Sequence, residues 1–261
     1  MNSISRVATI AVHSFKESVR EKVLYNLVGF ALLLIAAAIL FGSISVGIQK
    51  TILINLGLSS ISVFGLLMAI FIGVGLVAKE IERRTLYNIL SKPVARAEFI
   101  VGKYLGLLVT LVINTAIMAL GFYAALYYVT RQFVRADAIA LEAIYLILLQ
   151  FAIVVGVAIF FSCISTPVLS AVFTFCVYVI GNYLADIRWF GRENGSVLME
   201  KLTHALYFLL PNFANFQATS LAAHGMRIPG YLLVSDSLYA LLYVTVLVSA
   251  AVLAFEEREF K

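Results

Sequence analysis

Long apolar runs alternate along this chain with short charged islands, and the run lengths are those of helices that cross a bilayer. About 20 apolar residues span the hydrocarbon, and six stretches qualify: 24–46, 52–78, 99–129, 139–162, 167–186 and 232–255. The third exceeds the requirement, which predicts a tilted span or one projecting beyond the membrane. The fourth and fifth nearly fuse, but one apolar helix across both would overshoot the bilayer about twofold. Thr166 as N-cap and Pro167 at the first helical position read instead as a helix start, so the pair is a hairpin.

Residues 187–231 fit this plan less well. Val197–Leu210 is mostly apolar but short, and it carries Glu200, Lys201 and His204. Pro211-Asn212 breaks it, and 213–223 follows as a second half. Such a broken pair predicts a re-entrant or interfacial hairpin before the last span, with a seven-span arrangement as the alternative. Near the other terminus, Ile4, Val7, Ala11, Phe15 and Val19 fall at steps of three and four, with Ser3, Arg6, His13, Lys16 and Arg20 largely elsewhere. That pattern predicts a basic amphipathic helix over 1–22 lying on the membrane surface. The alternative is a charged flank that only fixes topology. The polar region before the first apolar run is too long for a signal peptide. The expected fold is therefore all-α and polytopic, with six transmembrane helices.

Composition agrees. Apolar residues are 62% of the chain and charged residues 13%, with a mean hydropathy of +1.01. Soluble domains carry about 25% charged residues, so the chain is an integral membrane protein. The net charge of +5 need not mean nucleic acid, because orientation explains the basic residues. With six spans, 12 of the 19 Lys and Arg fall on the side of both termini and of the loop after the second span. That side is predicted to be cytoplasmic. Cys163 and Cys176 have no metal-type spacing and give no disulfide framework.

The island over 78–103 is itself patterned. Lys79, Glu80, Glu82, Arg83 and Arg84 would each cost roughly 3 kcal/mol at mid-bilayer, so the segment lies at the surface. Leu86, Ile89 and Leu90 nevertheless share one apolar face at helical spacing. Pro93 then stops the helix, and Arg96, Glu98 and Lys103 mark the return into the bilayer. A short amphipathic helix held between two spans suits the passing of force from a soluble partner into the membrane. The plainer reading is a basic loop that sets topology.

In the order Glu82, Thr85-Leu86, Pro93, Arg96 and Gly102-Lys103, the chain resembles the ABC-2-type permeases, the type V membrane subunits of a class of ABC exporters. The resemblance continues in the hydropathy plan over nearly the whole chain. It implies a single transmembrane domain over 1–261, with residues 1–22 as an elbow helix and 187–231 as an external segment. It also implies a coupling helix at 79–92 that docks on a separate ATPase. Glu80, Glu82, Arg83, Arg84, Thr85, Leu86, Ile89, Leu90, Pro93 and Arg96 would form that contact. The implied assembly has two ATPase subunits and a second permease, either another copy or a homologue, in the inner membrane of a prokaryote. ATP and Mg would be bound by the ATPase, with no cofactor in this chain.

The chemistry the chain lacks supports that division of labour. Gly102-Lys103 matches the end of a phosphate loop, but Ala97 stands where the earlier glycine is needed and Tyr104 replaces the Ser or Thr. His13, His204 and His224 form no zinc motif, and His204 with His224 reads as solvated or interfacial rather than as a metal site. Asp186, beside Arg188 and Trp189, reads as an interface anchor, with a substrate gate as the alternative. Asn55, Ser59, Ser60, Ser62, Asn114, Thr115, Gln150, Ser170, Thr174 and Asn182 are expected to hydrogen-bond between helices, with the lining of a translocation path as the alternative for some, and Gly65, Gly73, Gly75, Gly102 and Gly106 to pack helices closely. No ladder of charged residues such as a proton-coupled pump needs is evident. The competing function is an ATP-independent secondary transporter or a membrane-embedded enzyme, which would work without any ATPase.

Overall fold

The structure is a computed structural model, and it describes residues 3–44, 47–82, 95–132, 134–193 and 197–257. Among the described residues there are ten α-helices and no strands: α1 Ser3–Val19, α2 Lys22–Ile44, α3 Gln49–Glu82, α4 Arg96–Thr130, α5 Ile139–Ile164, α6 Pro167–Asn182, α7 Leu184–Glu193, α8 Val197–Leu209, α9 Thr219–Ala223 and α10 Gly230–Glu257. Two short 3-10 turns, Arg135–Ala138 and Phe213–Phe216, complete the path. Five helices, α2 to α5 and α10, are long and apolar enough to cross a membrane. A sixth span is possible only as the bent pair α6–α7. The protein is an all-α polytopic membrane protein.

Burial ranks the spans. In α5 72% of the apolar window is buried inside the protein, against 22% in α2 and 17% in α10, so α5 is the central helix and the other two are peripheral. The cause is in the sequence, since α5 is apolar on every face. It packs on α3 and α10 over their length, while α2 lies against α3 and α4. Glycines set the close approaches expected of them. Gly65 faces the fully buried Phe151 ring, and a Cβ at Gly73 would lie 2.7 Å from Ala158 Cβ.

The fifth predicted span, 167–186, is bent: α6 ends at Asn182 and α7 leaves at 66°. No proline or glycine doublet marks the break. Its cause is tertiary: the buried Phe213 ring and the Pro211 carbonyl press on Gly181, and Gln217 Nε2 donates to Asn182 Oδ1 at 2.6 Å. The hairpin start holds, with Thr166 extended at ψ 158° and Pro167 opening α6, although the Thr166 side chain caps nothing.

The broken pair before the last span divides its labour. Its first half, α8, packs on α7 and leaves Leu198, Leu202, Phe208 and Leu209 exposed. Its second half turns into the bundle, with Phe213 and Phe216 fully buried and α9 against α3 and α5. Backbone groups freed at Pro211 find partners on α10: Asn212 N–H donates to Tyr239 Oη at 2.8 Å, and Tyr243 Oη donates to the Leu209 carbonyl at 2.6 Å. Broken backbone at membrane depth is tolerated only when satisfied in this way.

Hydroxyls inside the spans depart from the interhelical bonding expected of them. Ser60, Ser170 and Thr174 donate to carbonyls four residues back on their own helices. Bonds between spans come from Tyr104 Oη to the Ala152 carbonyl at 3.2 Å and from Ser162 Oγ to the Val74 carbonyl at 3.3 Å.

Candidate functional site: the root of the surface segment

The segment expected to couple to a partner falls largely outside the described residues. Arg83, Arg84, Thr85, Leu86, Ile89, Leu90 and Pro93 lie there, while Glu80 and Glu82 lie in the last turns of α3. What the structure places is the root, where the chain returns as the first turns of α4.

That root is tied to two other helices. Arg96 Nη1 donates to the carbonyls of Phe255, at 3.2 Å, and Glu256, at 2.8 Å, in the last turn of α10. A helix C-terminus offers unpaired carbonyls and partial negative charge, so an arginine suits it. One residue pair deeper, Phe99 stacks on Phe255 with centroids 5.8 Å apart. Arg96→Ala is expected to free this last turn and raise amide hydrogen exchange over 253–257 by about tenfold, the loss of roughly 1.4 kcal/mol of charge-assisted hydrogen bonding. Unchanged exchange would mean that Arg96 does not hold α10.

Glu98 binds the root to α1. Its Oε2 accepts from the Ala95 N–H at 3.3 Å, closing the helix start. Its Oε1 lies 3.2 Å from Arg6 Nη2 and accepts from Ser3 Oγ. Lys103 makes the second tie. It is 2% exposed, its Nζ sits 3.4 Å from Glu17 Oε2, and it lies 5.7 Å above the Phe99 ring. A lysine this buried needs its partner, because an uncompensated charge in low dielectric is costly.

Between the two ties, α1 lies directly on α4. A Cβ at Gly102 would come 2.7 Å from Ile10, and one at Gly106 would come 2.6 Å from the Ala11 carbonyl oxygen. Ile10 thus faces Gly102, Ala11 and Ser14 face Gly106, and Ser14 and Ser18 are fully buried. The contact runs through Val7, Ile10, Ala11, Ser14 and Ser18, while Ile4, at the head of the predicted apolar stripe, is 83% exposed. Glycine grooves reward close backbone approach over side-chain bulk. Sequence reasoning marked Glu98 and Lys103 as the boundary of a span but missed their partners. The available signal was charge order, with a cation then an acid in α1, and an acid then a cation at the start of α4.

This arrangement offers no nucleophile paired with a base. It makes α1, the start of α4 and the end of α10 one mechanical node. Of the buried ionisable residues, Glu98 and Lys103 are held in this node, and Asp137 pairs with Lys50 at 2.5 Å across the opposite end. Asp236, 7% exposed, is a buried acid within α10 that the sequence reading passed over. His204 and His224 join no metal-type cluster among the described residues. Elsewhere, an apolar cleft of about 670 Å³ lies between α5, α6, α10 and Leu209–Pro211, rimmed by Phe161, Phe208 and Tyr243.

No curated protein matches the chain. A family model described as "ABC-2 family transporter protein" matches residues 8–260 and so takes in α1 from its second turn, the surface segment, the root and α10. The chain belongs to the ABC-2 family of transporter proteins and is the membrane subunit of an ABC transporter.

Proposed function

We propose that this chain is the permease of an ATP-driven exporter, in which residues 79–92 dock on a separate ATPase subunit and carry its motion into the membrane. One observation supports the reading most: the residues just beyond that segment are fastened by Arg96, Glu98 and Lys103 to α10 and α1. A loop that only fixes topology needs charges, but not a rigid root. Displacement of the segment would carry α1 and α4 together and pull on the end of α10. Two ATPase subunits, holding ATP and Mg, would act on a pair of permeases, and both termini with the surface segment would face the cytoplasm of a prokaryotic cell. The apolar cleft beside Phe161 and Tyr243 suits lipid-like or amphipathic cargo better than a small ion. Mechanical action on a partner across the membrane is the variant of the same reading.

The competing secondary transporter needs a path of free ionisable groups. Three of the buried ionisable residues serve as helix ties. Reconstitution decides between them. The chain with its co-purifying ATPase is expected to need ATP hydrolysis for activity in liposomes. Gradient-driven activity of the chain alone would refute the proposal.

A further inference from the structure

At the end of the bundle away from the root, α5 and α10 begin side by side, and a cleft of about 780 Å³ opens between Ile139, Glu142, Arg227, Pro229, Gly230 and Leu233. Among the described residues its charged groups are Glu142, on α5, and Arg227, in the turn before α10. Glu142 Oε2 is sequestered from solvent, and no group among the described residues donates to it. Arg227 is exposed and pairs with no described residue. An acid and a base thus line one cleft without satisfying each other. A carboxylate oxygen removed from water without a donor is costly, by roughly 1–3 kcal/mol or more, so the site is built for a donor from outside the chain.

The depth of the cleft says where that donor comes from. Tyr127, Tyr128, Tyr145 and Tyr231 all stand exposed at this end of the spans. Such a tyrosine belt marks the headgroup level of a bilayer. At that level a group with a cation and an anion a few bonds apart would meet Glu142 and Arg227 together. We propose that this cleft binds the headgroup of a zwitterionic lipid carrying a primary ammonium and a phosphate. The ammonium donates to the Glu142 carboxylate, and the phosphate accepts from the Arg227 guanidinium. A quaternary ammonium carries the same charge but no N–H, so it gives that carboxylate no hydrogen bond. The site therefore selects ethanolamine over choline headgroups. This assignment does not depend on the coupling reading, because it concerns the opposite end of the bundle.

Native mass spectrometry of the full chain in detergent with equimolar phosphatidylethanolamine and phosphatidylcholine tests it. The unmodified protein is expected to retain the ethanolamine lipid by roughly tenfold, the difference one charge-assisted hydrogen bond makes. The N-methylated and N,N-dimethylated lipids, which keep an N–H, should still bind. Glu142→Leu should bring the ratio towards one, whereas Arg227→Ala should weaken retention of both lipids, because both carry the phosphate. Arg227 lies in an exposed turn, so its variant keeps the test valid if Glu142→Leu fails to fold. Equal retention of the two lipids by the unmodified protein would overturn the assignment, as would a preference that survives Glu142→Leu or retention of both lipids that is unchanged by Arg227→Ala. Displacement of the lipid by millimolar glycerophosphoethanolamine would also overturn it, by showing that the ligand is a water-borne zwitterion.

Discussion

A Gly106→Leu protein is expected to enter the membrane but to lose the seat of α1. The glycine faces backbone: a Cβ there would lie 2.6 Å from the Ala11 carbonyl oxygen and 2.7 Å from Ser14 Cβ. A flexible side chain could swing away, but a helix backbone can only move as a body. Overpacking of a well-fitted contact costs about 1–3 kcal/mol, and the facing carbonyl places this case at the upper end. For a chain of this size that corresponds to a fall in Tm of roughly 6–10 °C, with new protease cleavage at the α1–α2 junction around residues 20–21. Gly75→Ala is the control, because nothing lies within 4 Å of a Cβ built there. It should leave Tm within about 2 °C. Equal behaviour of the two variants would show that α1 is not seated on the glycine groove.

The Glu17–Lys103 tie has the second large effect, and its sign depends on which partner is removed. Glu17→Ala removes the carboxylate 3.4 Å from the Nζ of Lys103, a lysine only 2% exposed. Breaking a buried pair from one side typically costs 3–5 kcal/mol. Glu17 is 31% exposed, and water reaches the pair from that side, so about 2–3 kcal/mol is expected here. Lys103→Met removes the charge but keeps the stem packed over Phe99, and it should cost less than about 1.5 kcal/mol. Glu17→Ala in the Lys103→Met background should then be nearly neutral. A thermal-unfolding cycle reads all four proteins. Additive losses would show that the pair carries no coupling.

The spans were legible because hydrocarbon thickness imposes a length that an apolar run either meets or does not. Residues 22–44, 96–130 and 230–257 needed no knowledge of their neighbours. The bend after Asn182 was not legible, because its cause, Phe213 against Gly181, lies some thirty residues along the chain. The buried face of α1 was hidden for a related reason. Periodicity weights bulk, whereas a glycine groove selects Ala11, Ser14 and Ser18. Asp236 and Glu142 lie inside apolar stretches and were legible in principle. They were passed over because isolated acids near span ends do not form the ladder that was sought. The resemblance pointed to Arg96 as a partner contact, and its role within the chain, at the end of α10, came only with the structure.

The central claim is that residues 79–92 take up the work of an ATPase. Leu86→Ser with Leu90→Ser tests it most directly, because the double substitution keeps every Lys and Arg and so leaves the orientation signal intact. Truncating one buried anchor at an interface typically costs about 2 kcal/mol. Affinity of the purified chain for its ATPase should therefore fall by at least about 30-fold, and ATP-dependent activity should fall with it. Rim charges such as Glu80 would matter less. If the doubly substituted protein inserts normally and keeps full ATPase affinity and activity, residues 79–92 are not the coupling element.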